Sequence, residues 1–326
     1  MKWSITKSKM FSQCQRKWYY SEIVASHKSK DPLRREAYLL KQLQSLNAWR
    51  GSIVDKVIEK YIVPRIRTRN LPSENEVIGF CSSLINSQIA FGKAGKHRHL
   101  NVTKSNGNDA YCAFYDLEYN GGLNEKKLEE ARDEAILSLR NLMRSGFLKK
   151  IMMENCRVIA QRPLVFELEK FKVSCTPDLL AFSMNAPPLI VDWKVHTFGN
   201  ADSWLQLGVY ALALSRTNVH KDFPDGIKDR LKDATSIRLI EYQLLKNKQR
   251  EYSISQDDIC DIEDYIFRSC SEISDLVNGK KYDALDASQF QTARSPTVCE
   301  RCQFKTLCWK KILATRQTVL FGDVWT

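Results

Sequence analysis

Apolar positions recur along this chain with two different periods, and the change comes near residue 155. Before it the spacing is helical. Residues 3–24 read as one helix, with Phe11, Trp18, Tyr19 and Ile23 on a core face, and 36–48 as a second, closed by Arg50-Gly51. Ser52 then resembles an N-cap for a helix whose buried stripe is Ile53, Val54, Val57, Ile58, Tyr61 and Ile62, ending at Pro64. Helices follow at 74–91 and 125–148, the latter carrying Leu128, Ala131, Ala135, Leu139, Leu142 and Met143 in period. Between them, 92–124 is polar and rich in Gly and Asn. It reads as a loop or insertion, with His97-Arg98-His99 solvated inside it.

After 155 the runs shorten. Residues 157–168, 171–175, 178–184 and 188–195 read as strands, parted by Glu169-Lys170 and by Asn185-Ala186-Pro187-Pro188. A helix at 202–216 follows, then a hairpin from 236–245 and 251–254, then a helix at 256–277 with Ser255 as cap and Gly279 as stop. The pattern predicts an α/β protein in four parts: an N-terminal helix (1–24), a helical subdomain (25–154), an α/β core (155–284) and a C-terminal segment (285–326).

Acids break two of the apolar runs. Asp178 follows Cys175-Thr176-Pro177, and Asp192 interrupts Ile190-Val191-Asp192-Trp193-Lys194. Strand side chains alternate, so Asp192 and Lys194 share a face with Trp193 opposite, and Asp178 can fold back beside them as a hairpin. Two carboxylates and an ammonium on one patch suit a divalent cation and the anionic substrate it polarises. A lone Asp-x-Lys pair marks nothing more than a solvated strand edge; the apolar flanks and Asp178 set this one apart. Gln206 and Tyr210 stand one helical turn apart on the next helix, able to lay an amide and a phenol over the patch. Singly, Tyr210 reads as core, and His196 as a hydrogen-bonded strand end.

Composition narrows the partner. The 326 residues are 43% hydrophobic and 27% charged, ordinary for a globular protein, but the net charge is +12 and the pI about 9.2. That excess favours a polyanion, nucleic acid above all, with 26–35 and 301–316 as candidate basic faces. No apolar run reaches membrane length and the N-terminus lacks a signal-peptide core, so a cytoplasmic location and no membrane partner are expected. There is no Gly-x-x-x-x-Gly-Lys-Ser/Thr loop, no Ser-x-x-Lys and no Gly-x-Ser-x-Gly. ATP-driven strand separation would therefore have to come from another chain.

Ten cysteines complete the inventory. Cys299-Glu300-Arg301-Cys302 and Cys308 lie within ten residues, and Cys14 offers a fourth sulfur from the other terminus. Four thiolates suit zinc or an iron–sulfur cluster alike. The other six are scattered, mostly in apolar runs, as buried thiols would be.

Taken in order, Asp178, Asp192-Trp193-Lys194, Gln206-x-x-x-Tyr210, Cys14 and Cys299-x-x-Cys302-x5-Cys308 resemble the iron–sulfur branch of the PD-(D/E)XK nucleases. That branch contains RecB-type nuclease domains, the AddB nuclease subunit and the CRISPR-adaptation exonucleases. The resemblance implies a restriction-endonuclease-like core with a mixed central sheet, a helical insertion and a C-terminal cluster staple. It implies that Asp178, Asp192 and the main-chain carbonyl of Trp193 hold Mg2+ or Mn2+. Lys194 would orient water or offset phosphate charge, and Gln206 and Tyr210 would contact the DNA backbone or support the site. A 4Fe–4S cluster on Cys14, Cys299, Cys302 and Cys308 would be structural. The implied activity is a DNA nuclease, exonuclease-like on single-stranded or end-processed DNA, in repair or anti-phage defence, with a helicase or other subunit as an open partner. The family often has a ligating His in a Gly-x-x-x-His helix; here Gly51-Ser52-Ile53-Val54-Asp55 puts Asp55 there, as a metal ligand or as an acid answering the N-terminal amides after Ser52, with Glu59 a weaker ligand candidate one turn on. The rival expectation is a non-cleaving nucleic-acid-binding protein with the same fold, acting as a subunit of a larger complex.

Overall fold

The computed structural model describes residues 2–99, 101–195 and 203–309. His196 and residues 310–316 of the C-terminal basic segment lie outside them.

The first helix is broken at a cysteine. After β1 (Lys2–Trp3), α1 (Ile5–Gln13) stops where Cys14 turns extended, φ −165° and ψ 105°. Cys14 serves both ends of the break: its N–H donates back to Met10, and its sulfur accepts from the Lys17 N–H at 3.3 Å to start α2 (Gln15–Tyr19). A π-turn follows at Tyr20–Val24.

The expected break at Arg50-Gly51 does not occur. After α3 (Pro32–Lys41), α4 (Leu46–Val57) runs through it, capped by Ser45 rather than Ser52. Ser45 Oγ accepts from the Ala48 N–H at 3.3 Å, and the buried Arg50 pairs with Glu134 from a neighbouring helix. Pro64 does not stop the helix either. A π-turn at Ile58–Ile62 precedes α5 (Val63–Arg67), and the Val63 N–H reaches five residues back to Ile58. The wider turn absorbs the proline, whose missing N–H leaves no donor stranded.

α6 (Glu74–Lys93) starts on a capping box of Ser73 and Glu76. The segment after it is not a free loop. Tyr111, Cys112, Ala113 and Phe114 are buried, and His97 is only 4% exposed. Arg98 ties the segment down by bridging Glu36 and Glu118, and Gln44 pairs with the backbone at Ala113 and Tyr115. Polar composition concealed this because the burial is confined to one short stretch. α7 (Tyr115–Tyr119), α8 (Glu125–Arg144) and α9 (Phe147–Met153) complete the helical part.

The strands make two sheets rather than one. β2 (Arg157–Ala160), β5 (Leu179–Phe182), β6 (Leu189–Lys194), β7 (Arg238–Gln243) and β8 (Lys248–Tyr252) lie side by side in that order. β6 and β7 run parallel and the other pairs antiparallel, so the sheet is mixed. β3 (Leu164–Leu168) and β4 (Phe171–Cys175) form a second sheet with β1 on the far side of β4. The predicted strand 157–168 is two strands because Gln161, with φ 48°, turns the chain out of line before Pro163.

Alternation divides the core between the faces of the five-stranded sheet. Leu179, Ala181, Val191, Trp193 and Tyr242 join the cluster with α4, α6 and α8. Leu180, Phe182, Ile190 and Leu239 join the cluster with the small sheet, α10 (Ser203–Arg216) and α12 (Gln256–Val277). α11 (Lys228–Leu231) and α13 (Pro296–Glu300) are short. No helix among the described residues is long and apolar enough to cross a membrane.

α10 packs on α12 through Gly208, where a Cβ would collide with Ile262 Cδ1. Gly208→Val should therefore lower the melting temperature, costing roughly 1–3 kcal/mol by overpacking. Combining it with Ile262→Ala should recover part of the loss. Thermal melts of the two variants check this; an unchanged melting point for Gly208→Val would mean that α10 is not held there.

Candidate active site

β5 and β6 pair antiparallel with Leu179 opposite Val191, which brings Asp178, one residue before the pair, alongside Asp192 and Trp193. Asp178 Oδ2 accepts from the Trp193 N–H at 2.8 Å, and Oδ1 accepts from Gln161 Nε2 at 2.9 Å. Asp192 is 2% exposed, and its Oδ2 lies 2.5 Å from Lys194 Nζ. The Trp193 ring, on the opposite face, packs against Phe147 and Tyr242.

One amide on α10 ties the charges together. Gln206 Nε2 donates to Asp192 Oδ1 at 3.1 Å and to the Tyr210 hydroxyl at 2.6 Å, while Oε1 accepts from Lys194 Nζ at 3.1 Å. The helical spacing does what it predicts: residues 206 and 210 share the face that meets β6. Tyr210 is buried and belongs to the core as well.

Electrostatics bring in a third carboxylate. Burial, then the charge of Asp192, pushes Asp55 up to about 7, against the pull of Lys194. Burial, then Asp192 and Asp55, raises Asp178 well above the usual carboxylate range, despite its two hydrogen bonds. Burial by itself works to lower Lys194, but the adjacent Asp192 overcomes it and raises the ammonium. Asp55 thus belongs to the patch although it comes from α4, more than a hundred residues away in sequence. Glu59, in the π-turn, lies 3.6 Å from Lys60.

Glu241 and Gln161 are additions that the sequence reading missed. Glu241 is the register partner of Asp192 on β7, fully buried, and adds to the field that raises Lys194. Its own carboxyl is lowered: burial opposes ionisation, but donors including Gln243 and Tyr252 prevail. The signal was present, because Leu239-Ile240-Glu241-Tyr242 is also an apolar run broken by an acid. Gln161 carried no such mark; only its left-handed turn aims it at Asp178.

The donor set fits a divalent cation. Asp192 raises both Asp55 and Asp178, so the patch needs positive charge, of which Lys194 supplies one unit. The second cluster of interest is at the termini. Cys14, Cys299, Cys302 and Cys308 line one pocket with Arg16, Lys17 and Phe304. Cys302 accepts from the Phe304 N–H at 3.4 Å, and burial pushes its thiol up to about 11. Among the described residues, neither these cysteines nor the carboxylate patch brings three His, Cys, Asp or Glu side chains into a ready metal-binding arrangement.

Charge repulsion at Asp55 can be tested without substrate. Its folded pKa is above that of an unfolded aspartate, ~3.9, so it costs stability as pH rises from there through about 7. In chelator, Asp55→Asn should therefore melt above wild type at pH 8, with the gap closing toward pH 4. Mn2+ should raise only the wild type appreciably. A variant less stable than wild type at pH 8 would show that the carboxylate is held by partners rather than repelled.

The profile of the PD-(D/E)XK nuclease superfamily matches residues 2–309. No curated protein matches the chain. A solved structure described as "Crystal structure of SSO0001" aligns at 13% identity over 60% of this chain and 78% of its own, with a TM-score of 0.28, too low to carry an argument. The family match spans both core clusters, both sheets and every residue of the carboxylate patch, and the chain belongs to the PD-(D/E)XK nuclease superfamily.

Proposed function

We propose that this chain is a Mg2+- or Mn2+-dependent deoxyribonuclease, with its site on Asp55, Asp178, Asp192 and Lys194. The observation that carries the reading is the Lys194 ammonium, shared between Asp192 and Gln206 beside two further carboxylates. Asp178 and Asp192, with Asp55 and the Trp193 main-chain carbonyl, would hold the cation, which polarises the phosphoryl group when bound. Lys194 holds the attacking water or offsets charge on the phosphate. Gln206 fixes the Lys194 rotamer, and Tyr210 fixes Gln206.

The net charge of +12 supports a nucleic-acid substrate. The superfamily match supports phosphodiester hydrolysis; exonuclease-like action on single-stranded or end-processed DNA is our finer reading. A cytoplasmic role in repair or antiviral defence, as a RecB/AddB-like nuclease beside a helicase or other subunit, completes it.

Incubation with labelled single-stranded, duplex and forked DNA and Mn2+ should give cleavage. Asp192→Asn should abolish it. Lys194→Ala should slow it by at least ~10²-fold while DNA binding stays within a few-fold, since one ammonium is a small part of the footprint. DNA left intact on every substrate would overturn the nuclease reading in favour of a non-cleaving binding subunit.

We also propose a structural 4Fe–4S cluster on Cys14, Cys299, Cys302 and Cys308. The shared pocket, the N–H groups aimed at Cys14 and Cys302, and Arg16 Nη1 at 4.0 Å from the Cys308 sulfur support it. Anaerobic preparations should contain iron and show visible absorbance. Cys302→Ser should lose both together with solubility, while Cys260→Ser, at an exposed position, should keep all three. Zinc without iron would defeat the cluster assignment.

A further inference from the structure

The helix that carries Asp55 also carries a basic stripe. Asp55 and Glu59 lie one turn apart; Ser52, Lys56 and Lys60 lie one turn apart on the neighbouring stripe. That second stripe opens on a cleft of about 620 Å³. Lys41 of α3 and Lys104, Asp109 and Tyr111 from the segment after α6 line its other walls.

The lining is built for an anion. It presents four ammonium groups and one carboxylate. Lys41 is held by Glu22 and the Ser21 carbonyl, each at 2.9 Å, and Lys56 by the Asp109 carbonyl at 3.2 Å. Those bonds fix two cations on the walls, while Lys60 and Lys104 are exposed and able to close on a ligand. A second observation is independent of charge. Tyr111 lines the cleft, and its buried hydroxyl has no hydrogen-bond partner among the described residues. A buried hydroxyl without a partner costs stability, and a shift of the Tyr111 ring that brought the hydroxyl to a ligand oxygen would remove that cost. Lysines around a phenol match phosphate oxygens, which accept hydrogen bonds in several directions at once.

We propose that this cleft binds a phosphate group of the nucleic-acid strand whose neighbouring phosphodiester lies over Asp178 and Asp192. The inference rests on the nuclease reading for the identity of the strand, but not for the cleft itself. α4 and its π-turn form the ridge between the two sites, with carboxylates for the reacting phosphate on one stripe and ammonium groups for an adjoining phosphate on the next. The phosphate could be internal to the strand or a terminal monoester, and the two make the same contacts.

The test is binding without turnover. Fluorescence anisotropy of a labelled single-stranded oligonucleotide in chelator compares wild type with Lys60→Gln/Lys104→Gln, two surface changes. Lys228→Gln/Lys232→Gln, at the first residue and the C-cap of α11 and outside the cleft, controls for lost net charge. The cleft pair should weaken binding about tenfold and flatten the salt dependence by ~0.7 in slope, as for one lost phosphate contact on a single strand. The α11 pair should stay near wild type. Tyr111→Phe should weaken binding severalfold with an unchanged salt slope. Equal affinities for the cleft pair and the α11 pair would overturn the proposal. Repeating the titration with 5′-phosphorylated, 3′-phosphorylated and unphosphorylated strands separates the sources: a preference that the cleft pair abolishes assigns a terminal phosphate, and equal weakening of all three assigns an internal one. Hydrolysis of bis(p-nitrophenyl) phosphate, too small to span both sites, should survive in the cleft pair. Its absence from the wild type would count against the nuclease reading and leave the binding comparison intact.

Discussion

The candidate site depends on one constraint: buried carboxylates crowd together on a sheet that offers them little water. Asp178 and Asp192 are brought together by strand pairing, which is set by the apolar faces of β5 and β6 rather than by the acids. A one-residue slip would turn Leu180, Ile190 and Asp192 to the wrong faces together, so the core itself enforces the proximity. The repulsion is tolerated because Lys194, Gln206 and the Trp193 N–H each answer part of it. The remaining demand for positive charge is what the proposed cation would answer.

Other parts of the fold serve that arrangement from a distance. α10 delivers Gln206 only because Gly208 lets it approach α12. In the same core cluster, Tyr19 stacks on Phe290 with ring centres 4.4 Å apart, and Tyr20 on Phe304 at 5.7 Å. The chain ends are therefore joined by aromatic packing as well as by the cysteine pocket.

Much of this was legible in the residues. An acid inside an apolar run marked Asp178 and Asp192, and the strand period gave their shared face with Lys194. Helices with strong periodicity and a capping residue, such as α8 and α12, were read to within a few residues. The failures have physical causes. Cys14 breaks a helix that looks continuous because its thiol caps as a hydroxyl would. Gly51 and Pro64 read as stops because local punctuation is silent about tertiary support, such as the Arg50–Glu134 pair, and about a wider turn. The second sheet was missed because strand order is a nonlocal property. Whether Asp55 belongs to the patch could not be decided from its own surroundings, since its partners lie on β5 and β6.

The π-turn at Ile58–Ile62 has a consequence for how this chain can vary. Five residues per hydrogen-bonded ring instead of four offset the two ends of the helix by roughly 100°. One end turns Asp55 toward the carboxylates; the other lets Arg67 reach the Val158 carbonyl on the edge strand β2, at 2.7 Å. The turn is a phase shifter between an end that faces the carboxylate patch and an anchoring end. Changes of side chain within it leave that phase intact, whereas loss of a single residue would bring the two ends into register and detach one of them.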